Sequence, residues 1–256
     1  MSVDKEKFFQ WAARNFSGCD GKNANAPVWV CGIEWGATKS SEEKTIAEYA
    51  KYKAQIEKNE VEANDYYDWK EQHKHQYSLK FAKLYTVLKG HKISDVNKLI
   101  ETYSGDEVLK LNLYPIFFKN TSPEYWNKYK LEEIIGFKNK DLYMKWCHIN
   151  RFAFFKGLVK KNRPKLIICC GITYADEFLN AFVPDDESFR YEVHAETFKD
   201  SSESNNSERY CYYAKTKDGT FIFIVPFFGH QKGSLNSDEL IQRLGDIIVS
   251  KVGIIP

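Results

Sequence analysis

The sequence predicts an α/β fold, three α/β/α layers built on a central, mainly parallel four-stranded sheet. Three observations predict it. Short apolar runs occur at 28–31, 108–113 and 166–170, and glycine follows the first and third. The segments between them carry apolar residues at helical spacing. Strands that alternate with helices argue for parallel pairing, with both sheet faces covered.

The elements follow in order. MSVDKEKFFQWAARNF reads as an amphipathic first helix, and the Gly/Asn/Asp-rich stretch 17–27 turns into strand 28–31. Residues 40–80 are rich in Glu, Lys, Gln and Ala and read as a charged helical insertion, with Tyr66, Tyr67 and Trp69 near its middle. Helical spacing continues through 81–89. Residues 141–161 form a strong helix with Leu142, Trp146, Ile149 and Ala153 on one stripe, which predicts that this stripe faces the core. Pro164 closes it ahead of strand 166–170, and a helix follows at 174–181. Residues 185–207 read as a long polar loop. Segments 208–215 and 220–225 flank Asp218-Gly219, a hairpin signal. Ser237-Asp238-Glu239 supplies the cap and acidic first turn of the last helix. Nothing marks a cut between domains, so residues 1–256 are expected to form one.

Composition narrows the classes. Hydrophobic residues at 43% and charged residues at 28% belong to a globular chain. No apolar run approaches the roughly 18 residues of a membrane span, and no long apolar stretch marks a signal peptide. Cys19, Cys31, Cys147, Cys169, Cys170 and Cys211 are scattered without CxxC spacing, which points to reduced thiols and a cytoplasmic location. No set of ligands has metal-site spacing, so no metal is expected. Net charge is +2, yet residues 119–165 hold 12 Lys/Arg against 4 Asp/Glu, leaving −6 on the remainder. Such a segment suits a polyanionic partner, or is simply a solvated face.

In parallel sheets, ligands collect where strands end in loops. Four exits are notable: Gly32-Ile33-Glu34-Trp35-Gly36, Leu111-Asn112-Leu113-Tyr114-Pro115, Cys170-Gly171-Ile172-Thr173, and Pro226 to Ser234 with His230 inside it. In order and character they resemble the uracil-DNA glycosylase superfamily. There the first strand ends in Gly-x-Asp-Pro or Gly-x-Asn-Pro-Gly, an Asn ends the second, the third reads Pro-Lys-x-Ile-x-x-x-Gly, and a His-Pro-Ser loop follows the last. Pro164 to Gly171 follows the third element closely. Trp35 stands where the family has Pro, and Gln231-Lys232 where it has Pro-Ser.

The resemblance implies a DNA glycosylase that extrudes a nucleotide from double- or single-stranded DNA and hydrolyses its base–sugar bond without a cofactor, in repair or in defence against phage. Glu34 would activate water or stabilise the sugar cation, and His230 would donate to the oxyanion on the departing base. Asn112 would read the base edge, with Ile33, Trp35 and Tyr114 around it. Lys232, Gly233 and Ser234 would touch phosphate, and Lys119, Lys128 and Lys130 would extend that track. Tyr66, Tyr67 and Trp69 are candidates for stacking on the base. Each residue also has a structural reading: Glu34 as a turn cap, Asn112 tying a strand end, His230 as a solvent-facing loop residue. Two other functions stay open, a non-catalytic nucleic-acid-binding protein on the same fold and a hydrolase of small nucleotides.

Overall fold

A computed structural model describes residues 4–34, 42–118, 124–185, 191–201 and 208–255. Helix α1 (Lys5–Ala13), capped by the Asp4 side chain, leads to β1 (Val28–Gly32). The helices α2 (Glu42–Lys58), α3 (Trp69–Gln72), α4 (Gln76–Leu88) and α5 (Val96–Leu99) separate it from β2 (Val108–Asn112). Next come α6 (Glu124–Lys128), α7 (Leu131–Ile135), α8 (Lys140–Trp146), a π-helical turn (Cys147–Arg151), α9 (Phe152–Asn162) and β3 (Leu166–Cys170). Helix α10 (Ala175–Phe182), strands β4 (His194–Phe198), β5 (Arg209–Lys215) and β6 (Phe221–Val225), and α11 (Asp238–Val252) complete the chain.

The fold is α/β, with a mixed six-stranded sheet in the order β2-β1-β3-β6-β5-β4. The first four strands in that order are parallel, β5 pairs antiparallel with β6, and β4 pairs antiparallel with β5. The sheet is thus wider by two strands than the four expected. The polar segment expected to be loop supplies the edge strand β4, whose sequence His-Ala-Glu-Thr-Phe leaves most side chains exposed. Its pairing with β5 is a main-chain matter, so hydrophobic pattern carries little sign of it.

Each sheet face carries its own apolar cluster. Trp29, Cys31, Leu111, Ile167 and Cys169 face Trp11, Tyr143, Phe152, Phe155 and Phe178 from α1, α8, α9 and α10. Val28, Val30, Ile168, Cys170 and Phe223 face Phe81, Leu84, Leu240 and Leu244 from α4 and α11. All six cysteines are buried and free. Among the described residues, no helix is long and apolar enough to cross a membrane.

Two expectations change here. In the 141–161 helix, Leu142 and Ile149 are 47% and 73% exposed, and the buried stripe is Tyr143, Cys147, Arg151, Phe155 and Val159. The expected stripe is exposed already at Leu142, ahead of the π turn, because the adjacent run that begins at Tyr143 faces the sheet instead; the π turn then lets that run continue inward at four-residue spacing. The second concerns the stacking candidates in the 40–80 segment, whose helices form as expected and reach both clusters. Helix α2 buries Tyr49 and Ile56 in the first cluster, and Tyr67 and Trp69 lie in the second, Trp69 stacked on Phe81. Those two rings are core rather than stacking surface; Tyr66 is exposed.

Candidate active site at the strand ends

The chain leaves β1 toward β2 on one side and returns to β3 on the other, so the strand order reverses at β1. Helices emerging from neighbouring strands at such a point diverge and leave a crevice beyond the strand ends. The β1–β2 ladder continues past both strands: Leu113 N–H donates to Gly32 O at 3.0 Å and Tyr114 N–H to Ile33 O at 2.9 Å. Gly171, with φ of +136°, turns the chain sharply out of β3.

Arg151 fixes the β2 exit from beneath. Its guanidinium, fully buried, donates to Leu113 O (2.8 Å), Asn112 O (3.0 Å), Ala12 O (2.6 Å) and Ser17 O (2.7 Å). A planar five-donor group suits such a cage of carbonyls. The N-terminal segment and the β2 exit are therefore held by one side chain.

Between these exits lies a small cleft with about 10 Å³ of free space, lined by Ile33, Glu34, Tyr114, Phe118, Lys140, Met144 and Tyr174. That is room for about one water molecule, so a base or sugar enters only if the lining side chains give way. Lys140 begins α8, which the Asn139 side chain caps by accepting from Leu142 N–H at 2.9 Å. The Lys140 ammonium sits 4.2 Å from the centre of the Phe118 ring.

Burial raises the Glu34 carboxyl from 4.5 to about 7, against the opposing pull of Lys140 and a hydrogen bond from the Phe118 backbone. Burial likewise lowers Lys140, with Glu34 and Asp141 opposing. A carboxyl that titrates near neutrality can serve as base or acid, because both forms are populated. Tyr114 places its hydroxyl 2.8 Å from His148 Nε2. No metal-ligating group of three or more His, Cys, Asp or Glu occurs among the described residues.

Of the residues predicted from sequence, Glu34, Ile33 and Tyr114 meet in this cleft. The others among the described residues do not line it. Asn112 is buried, and its amide donates to Gly18 O at 2.7 Å, tying the strand end to the N-terminal segment. His230, Lys232 and Gly233 are exposed on the loop after β6. Ser234 is buried there and donates to Gln231 O, closing the turn. Lys80 grips the same loop through Gly229 O and Leu235 O, and Arg209 through Ser234 O. Trp35 and Lys119 lie outside the described residues. Lys128 pairs with Glu42 at 3.1 Å.

The chain matches no protein-family model, no curated protein and no solved structure. The site therefore stands on its own geometry.

Sequence reasoning missed Lys140, Met144 and Tyr174. Tyr174 had a signal, since it directly follows the Gly171-Ile172-Thr173 exit. Lys140 had none beyond its cap, being one lysine among many in a basic stretch.

Proposed function

We propose that this chain hydrolyses the N-glycosidic bond of a nucleobase in DNA, after the manner of the uracil-DNA glycosylase superfamily, with Glu34 activating water. The observation that carries the reading is a half-buried carboxyl titrating near 7, set beside an ammonium in a small cleft at the strand-order reversal. As the C1′–N bond breaks, its electron pair leaves with the base and the sugar becomes cationic. Ionised Glu34 takes a proton from water, whose oxygen bonds to C1′. Lys140, across the cleft, favours the ionised carboxylate and the anionic base. Extrusion of a nucleotide costs a few kcal/mol of stacking and pairing, which contacts in the cleft and to phosphate must offset.

Uracil, another deaminated base or an enlarged modified pyrimidine is the substrate class, and repair or anti-phage defence the setting. A second reading, a nucleic-acid-binding protein without catalysis, draws on the commitment of the Asn112 amide and the Ser234 hydroxyl to backbone carbonyls.

Oligonucleotides carrying a panel of such bases, treated to break at abasic sites, separate the two. Base release by the wild type is expected for at least one base, with Glu34→Gln slower by about 100- to 10,000-fold. Background-level breakage by both proteins across the panel, with DNA still bound, favours the second reading.

A further inference from the structure

Tyr114 and His148 form a bonded pair that water activation at Glu34 does not use. Tyr114 stands on the β2 exit, its backbone tied to Ile33 O and the preceding carbonyls gripped by Arg151. His148 comes from the π turn, a departure from α-helical geometry of a kind that recurs at functional sites. Its ring is stacked on Phe152, with centroids 4.7 Å apart and planes 24° apart. With both rings pinned and 2.8 Å between Tyr114 Oη and His148 Nε2, the remaining variable is which atom holds the shared hydrogen.

Burial lowers the His148 imidazole from its ordinary 6.5, with Glu177 opposing, so at pH 8 the ring is neutral and one nitrogen is bare. Hydrogen on Nδ1 would make Tyr114 donate to a bare Nε2, and the phenol would then offer the cleft only lone pairs. Hydrogen on Nε2 reverses this: the imidazole donates to the phenol oxygen and the phenol hydrogen is released toward the cleft. His73 shows the contrast within the same chain, since its Nδ1 sits 2.8 Å from Trp69 O, a carbonyl that holds hydrogen on Nδ1. No carbonyl of a described residue engages Nδ1 of His148 in that way.

We propose that His148 is a positioning residue: as the Nε2–H tautomer it donates to Tyr114, so that the Tyr114 hydroxyl donates to an acceptor oxygen, carbonyl or anionic, of the group bound in the cleft. On the glycosylase reading, that oxygen belongs to the departing base, and Tyr114 fills the donor role expected of His230. No proton leaves either residue; the pair sets a direction. Only the identity of the bound group rests on the glycosylase reading.

Long-range ¹H–¹⁵N spectra of the full chain, labelled with ¹⁵N-histidine at pH 8, test the tautomer directly. The His148 signals, assigned by their loss in His148→Gln, are expected to show a protonated Nε2, with the preference weakened in Tyr114→Phe. A protonated Nδ1 overturns the proposal. In base-release assays His148→Gln, whose amide still offers an N–H, is expected within about threefold of wild type. His148→Leu is expected to lose about 10- to 100-fold in kcat with KM little changed. Equal losses in the two variants overturn the proposal as well. A wild type that releases no base sinks the glycosylase reading alone, and the spectra still decide the tautomer.

Discussion

At the residue scale, Glu34 sets chemistry against stability. Its folded-state value of about 7 lies above the ordinary 4.5, so the native protein holds the proton more tightly than the unfolded chain. The stability this contributes is complete below pH 4.5 and is lost as pH rises to about 7. Glu34→Gln keeps a neutral side chain throughout. Relative to wild type it should gain stability over that window and level off above it, by roughly 1–2 kcal/mol once the carboxyl's partial exposure is discounted. Urea titrations of both proteins at pH 4, 6 and 8 check this, and a gap that shrinks with pH would contradict it. On the proposed glycosylase reading, base release by the wild type should rise through pH 7 as the carboxylate forms, opposite in sign to stability. Arg151 makes a different case, a buried cation whose acceptors are carbonyls. Arg151→Met strips donors from buried carbonyls at about 1–3 kcal/mol each, so a loss of about 3–5 kcal/mol in unfolding free energy is expected, with Tyr114 released from its place. These two residues also mark what sequence discloses. Glu34 was legible because a charged residue directly follows a strand exit. Arg151 was not, because an arginine in a basic helix reads as solvated until the fold supplies its carbonyls.

The same limit recurs at the scale of elements. Strands β1, β2, β3 and β6 were legible because consecutive apolar residues bounded by Gly or Pro have few other uses. Helix α11 was legible from its cap: Ser237 Oγ accepts from Leu240 N–H at 3.2 Å. The π turn was not, since its i→i+5 bonds leave no mark in composition, and only the turn keeps Tyr143, Cys147, Arg151 and Phe155 on one buried face. The packing of α4 on α11 was equally hidden, although Gly245 within α11 is its trace. A Cβ there would meet Val87 Cγ1 at 2.5 Å and Val87 Cβ at 2.9 Å. Gly245→Ala gains about 1 kcal/mol of helix propensity but overpacks the contact by about 1–3 kcal/mol. A net loss is expected. Adding Val87→Ala removes the clash, so the double variant should be more stable than the sum of the single effects, by an interaction of about 0.5–2 kcal/mol in denaturant unfolding. Strict additivity would mean that the helices separate freely and that the glycine serves no packing purpose.

At the scale of the whole molecule, charge decides how a near-neutral protein meets a polyanion. The +8 of residues 119–165 overstates what faces solvent. Arg151 is buried, Lys140 lines the cleft, Lys128 and Lys156 pair with Glu42 and Asp185, and Arg163 pairs with Asp218 at 3.5 Å. Lys165 donates to Ile254 O at 3.0 Å. Lys138 and Lys145, both exposed, lie two residues before Lys140 and one after Met144, which line the cleft. Each phosphate neutralised contributes about −0.9 to the slope of log K against log salt, so if the proposed DNA binding uses this face, a slope of about −2 to −4 is expected, far from the roughly −10 of a large repressor. Lys138→Glu combined with Lys145→Glu is expected to flatten that slope by about 2 and to weaken binding by about tenfold or more at 0.1 M salt. The same change at Lys5 and Lys7, exposed on α1, should leave the slope unaltered. Fluorescence anisotropy with a short duplex across 50–200 mM salt measures both pairs. If the α1 pair flattens the slope and the α8 pair does not, the phosphate track runs elsewhere on the surface, and the cleft at the strand ends loses its claim to the extruded nucleotide.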